Sequence, residues 1–78
     1  MATPVMSREN SGLEAARIHA DSKIKDLELQ LEMADEPAQI ETLRQDIVKA
    51  KRDYYNKLLD FGAQDMAEKY AEQNPEIN

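Results

Sequence analysis

A chain of 78 residues holds one domain at most and buries little core, so its stability calls for a cross-link, a metal or a partner. It has no Cys and one His, His19, which excludes disulfides and thiolate metal sites and makes a structural zinc centre implausible. A formal net charge of −6 disfavours phosphate backbones and anionic lipid as partners, so extra stability is expected from association with protein.

The chain is rich in Ala, Leu, Glu, Gln, Lys and Asp and poor in the β-branched and aromatic residues that strands require. The predicted class is all-α. Residues 1–10, with Thr3, Pro4, Ser7 and Asn10, read as a flexible leader with no helical period. Ser11 and Glu14 then form a capping box, which places the start of helix 1 at Gly12, with Ser7 as the alternative start. From there a seam repeats in steps of three and four through Leu13, Arg17, Ala20, Ile24, Leu27, Leu31 and Ala34. Arg17 is its one blemish, and its stem can snorkel. Ile18, Leu29 and Met33 fall off this line and widen the apolar surface, giving a further helix something to cover.

Ala34-Asp35-Glu36-Pro37 is the strongest break. Proline cannot continue helix 1 and pushes Glu36 away from helical angles, yet it suits the first turn of a new helix capped by Asp35 or Glu36. So short a connection makes the two helices antiparallel neighbours. Helix 2 carries Ile40, Leu43, Ile47, Ala50, Tyr54, Leu58 and Phe61, with a change of frame after Tyr54. A second stripe follows Val48, Tyr55, Leu59 and Met66. Gly62 can end or kink the helix. The pattern resumes at Ala63, Met66, Ala67 and Tyr70, so one helix over about 37–73, kinked at 61–62, is the preferred reading. Asn74-Pro75 stops it, and residues 74–78 read as a disordered tail. Residues beyond Asp60 are expected to project past the start of helix 1.

The resulting fold is an antiparallel, coiled-coil-like two-helix hairpin over residues 11–73, completed into a bundle by dimerisation or by a helical partner. Its expected core is Leu13, Ala20, Ile24, Leu27, Leu31, Ile40, Leu43, Ile47, Ala50, Tyr54 and Leu58. Its expected partner face is Leu29, Met33, Val48, Tyr55, Leu59, Met66 and Tyr70. Tyr54 and Tyr55 lie about 100° apart around a helix, so one of them must leave the seam; tyrosine is enriched at interaction hot spots. Pairing about the turn sets residue i against 71 − i, which places Arg44, Lys49, Lys51, Arg52 and Lys57 opposite Glu14, Asp21 and Asp26.

No motif carries chemistry. A hairpin has no cleft to perturb a carboxylate pair. Glu28 and Glu32 share a face, but the Glu-x-x-His element of a di-metal site is missing, so both read as solvated surface. His19 reads as an exposed polar residue, and a catalytic role, a cofactor and a metal are not expected. No apolar run of signal-peptide type opens the chain and none reaches the roughly 18 residues of a membrane span, which makes a cytoplasmic or virion-internal protein the expectation.

Residues 34–40, Ala34-Asp35-Glu36-Pro37-Ala38-Gln39-Ile40, with Phe61-Gly62 downstream, resemble the turn region of the Rop family, plasmid copy-number hairpins that dimerise into four-helix bundles and bind paired RNA loops. The resemblance covers a short part of the chain, needs a one-residue gap before Leu43, and implies the architecture alone, since the family's RNA-facing first helix finds no equivalents. Pro37-Ala38 with Ile40, Leu43, Ile47, Lys49 and Tyr54 is similar to the second helix of type III secretion needle subunits. The acidic end from Glu68 to Asn78 departs from the apolar helix that packs those filaments. Three functions are therefore expected in order: an interaction protein that self-associates or binds a helical protein, an acidic inhibitor or decoy of a basic nucleic-acid-binding protein, and a small chaperone of a secreted helical subunit.

Overall fold

The computed structural model describes residues 4–77, and the side chains of residues 12–77. Residues 1–3 of the expected leader and residue 78 of the expected tail lie outside this range. The described residues are helical: α1 spans Pro4–Met33, α2 spans Pro37–Asp60, α3 spans Gln64–Gln73, and a short 3-10 turn covers Pro75–Ile77, with no strand among them.

Helix α1 corrects the expected start. It runs through the Ser11 position without a break, and Glu14 pairs with Arg17 on the outer surface, with Asp21 on the guanidinium's other side. Residues 4–10 are therefore helical, where weak local propensity suggested a leader. The helix ends at Met33, and Glu36 is extended (φ −87°, ψ 133°), the conformation the following proline imposes. Pro37 then opens α2, and the Glu36 carbonyl accepts the first bond from the Ile40 amide at 2.9 Å. No side chain caps this end.

Chain reversal brings α2 back along α1. The ring of Phe61 lies against Gly12, and Lys23 and Leu27 border the same hollow as Asp46, Lys49 and Ala50. The helices are thus antiparallel, with the register about two residues from the expected one. The shift follows from small residues: Gly12, Ala16 and Ala20 on α1 let Phe61, Tyr54 and Ala50 of α2 approach closely.

The end of α2 is the largest departure. No kinked continuation exists. Gly62, at φ +78°, takes the left-handed conformation that glycine adopts at least cost. Its amide donates to the Leu59 carbonyl at 2.9 Å and the Ala63 amide donates to Leu58 at 2.8 Å, the paired bonds of a Schellman stop. The chain turns here, and α3 packs back on α2. The expected projection past helix 1 is replaced by a third helix.

The core forms where three elements meet. Leu58 (1% exposed) and Ala67 (0%) sit with Ala20 and Tyr54, flanked by Leu13, Ala16, Tyr55, Ala63 and Tyr70. Alanine at 67 lets the α3 backbone close onto α2. The rings of Tyr54 and Tyr70 meet edge to face, centroids 4.9 Å apart and planes at 77°. After α3, the Asn74 side chain donates to the Tyr70 carbonyl at 3.0 Å, and Pro75–Ile77 folds onto α2. Ile77 is buried, Lys51 Nζ meets Glu76 Oε2 at 2.6 Å, and Arg52 Nε donates to the Ile77 carbonyl at 3.3 Å. Residues 75–77 are therefore docked structure, where the sequence suggested disorder. The molecule extends 54 × 24 × 15 Å with a radius of gyration of 15.0 Å, against about 11.5 Å for a compact chain of this length.

Candidate interaction surface

The α1–α2 seam has two sides, and the chain covers one. On that side α3 brings Tyr70 over Tyr54, close enough to Asp21 that its carboxylate acts on both phenols. Burial first, then the Asp21 charge, pushes the Tyr70 phenol up to about 12, and burial raises Tyr54 in the same direction. The opposite side remains an open groove of about 350 Å³. Gly12, Ala15, Ala16, Ala20 and Ala50 line it, with half-exposed Phe61 at one end and His19, Lys23, Lys57 and Asp53 as the polar groups around it. Among the described residues, ion pairs join Arg17 to Glu14 and Asp21 and join Lys51 to Glu76. The expected pairs between Arg44, Lys49, Lys57 and the α1 acids do not form there, because the shifted register and the exposed positions leave these side chains to solvent.

The residues expected in the hairpin core divide by helix. Leu43, Ile47, Ala50, Tyr54 and Leu58 of α2 are buried, and Ile40 is half-buried. Of the α1 set only Ala20 is buried, while Leu13, Ile24, Leu27 and Leu31 are half-buried. A single facing helix cannot enclose both flanks of α1 beyond the reach of α3.

The residues expected to face a partner separate into three groups. Tyr55 and Tyr70 are half-buried and pack against the chain's own core. Val48 is half-buried, bordering a shallow hollow with Arg44 and Arg52. Leu29 (52% exposed), Met33 (72%), Leu59 and Met66 remain open to water. One residue was not foreseen: Phe61, expected in the helix 2 seam, is half-exposed at the end of the groove with its ring against Gly12. Ile18 (53% exposed), expected to widen the apolar surface, stands on the back of α1 in line with Leu29. Its step of eleven residues from Leu29, three helical turns, was the signal for that alignment.

Little else in the molecule points to chemistry. Among the described residues no buried polar side-chain atom lacks a partner, and no three His, Asp or Glu side chains converge as a metal ion would require. Glu28 and Glu32 are exposed, beside a shallow hollow that also includes Leu29. No described helix is long and apolar enough to cross a membrane. Comparison with protein-family models, curated proteins and solved structures found no match.

Proposed function

We propose that the chain is a non-enzymatic helical-hairpin protein that acts by protein–protein association, first with copies of itself and through the same open faces with a helical partner. The observation that carries this reading is the unequal covering of the hairpin. One side of the seam is closed by α3, while the other side, together with the back of α1, presents Phe61, Ile18, Leu29 and Met33 to water. Large apolar side chains concentrated on a small elongated chain favour burial against another surface. The low compactness agrees, since a rod of 78 residues has little interior of its own.

The test is sedimentation equilibrium with helicity followed by circular dichroism across a dilution series. The expected result is a multimer at high concentration whose helical content falls as it dissociates. A chain that stays monomeric and fully helical at every concentration overturns self-association as the basis of the fold.

A further inference from the structure

The back of α1 has a spacing that matches itself when reversed. Ile18 and Leu29 lie within about 20° of one another around the helix, on the side opposite the α2 seam. Met33 extends the same face toward the end of α1, and Ser22 lies near the middle. A second α1 laid antiparallel on this face, about a twofold axis between residues 23 and 24, brings Ile18 opposite Leu29 of the other copy, twice. The small Ser22 side chain lets the helices approach at the centre.

Charge follows the same axis. Lys25 is the cation beside the apolar line and forms no ion pair in its own chain among the described residues. The twofold sets it level with Ser22 of the other copy, one residue from that copy's Asp21 and on the same flank of the contact, so that Asp21 meets Arg17 within its own chain and Lys25 across the contact. Each interface thus gains two Lys25–Asp21 pairs, which fix direction and register more than they add affinity. A parallel arrangement loses both the Ile18–Leu29 match and this pairing. The face points away from α2, so neither α2 nor α3 obstructs a second copy.

Resting on the reading of the chain as a self-associating protein, we infer that α1 is the dimerisation helix and that a second copy covers its outer face, antiparallel, in a closed isologous contact. The α1–α2 groove stays open in this dimer.

Because the chain has no Cys, single nitroxide labels can be placed on the full chain at Glu28→Cys, on the flank of the contact, or at Glu36→Cys and the distances between copies measured by pulsed electron spin resonance. The proposed axis puts the Glu28 labels below about 25 Å and the Glu36 labels near about 40 Å. Leu29→Glu weakens dimerisation at least about tenfold in sedimentation equilibrium, whereas Gln45→Glu on exposed α2 surface leaves it unchanged. Lys25→Asp weakens it as well, and adding Asp21→Lys in the same chain restores it, with circular dichroism confirming that each variant is helical. Distances that are long at Glu28, or a dimer indifferent to Leu29→Glu, overturn the α1 face and leave self-association standing. A wild-type chain that is monomeric at millimolar concentration overturns the second copy altogether, and the open faces then belong to a different protein.

Discussion

Two residues decide more than their size suggests. Gly62 holds the reversal between α2 and α3 at φ +78°, where a Cβ would meet no atom within 4 Å. Replacing it with Ala therefore costs backbone strain alone, about 1–2 kcal/mol of stability, readable as a lower urea midpoint at unchanged slope. Tyr70 makes the contact that this reversal permits. Its phenol is raised to about 12 in the folded chain against an ordinary value near 10. A group whose folded value is raised contributes stability that is complete below the unfolded value and lost as pH climbs from about 10 toward 12. Alkaline unfolding followed by circular dichroism should begin in that window, and Tyr70→Phe should flatten it, because a ring without a hydroxyl has no phenolate to expose.

At the scale of elements, α3 and the 3-10 turn act as a strap on α2. Their hold consists of Ala67 at 0% exposure, the Tyr54–Tyr70 contact, buried Ile77 and the Lys51–Glu76 pair. Ala67→Leu places three extra carbons at a fully enclosed site, and overpacking of this kind costs about 1–3 kcal/mol. The effect should be local first: hydrogen exchange should quicken in 64–77 ahead of α2, since the strap has the fewest buried contacts to lose. Equal acceleration in all helices would show that the three elements open as one unit. The Lys51–Glu76 pair adds an acid-side effect of opposite sense. The lysine holds the Glu76 carboxyl below its ordinary value, so the contribution is present above the unfolded value and is lost as pH falls through the folded one. The pair is partly exposed, so salt weakens it.

For the whole molecule, the issue is where 78 residues find enough apolar burial. The three-way junction around Leu58 and Ala67 lies at the end of α2 away from the Pro37 turn. Toward the turn, α1 and α2 have only each other, and Ile24, Leu27, Leu31 and Ile40 stay half-buried. Local stability is therefore expected to fall from the α3 end to the Pro37 turn. Amide exchange should be slowest near Tyr54–Leu58 and fastest near Ala34–Gln39 in the monomer. Concentrating the sample should slow the α1 amides selectively if that helix is covered by a second copy.

Composition and local stereochemistry determined the all-helical class, because a chain rich in Ala, Leu, Glu and Lys and poor in β-branched residues has few other options. The extended Glu36 before Pro37 is likewise a rule the pair of residues imposes on its own backbone. Gly62 permits the helix to end or to kink and does not choose between them. The period continues through Ala63, Ala67 and Tyr70 whether the chain runs straight or turns back, since α3 needs the same small and aromatic spacing in either case. Only packing chose the reversal, which lets Ala67 and Tyr70 bury against Leu58 and Tyr54. That choice also set Tyr55 and Tyr70 half-buried against the chain's own core, and left Ile18, Leu29 and Met33 exposed on α1. A sequence period states which residues share a face; which face finds a cover is decided by distance in three dimensions.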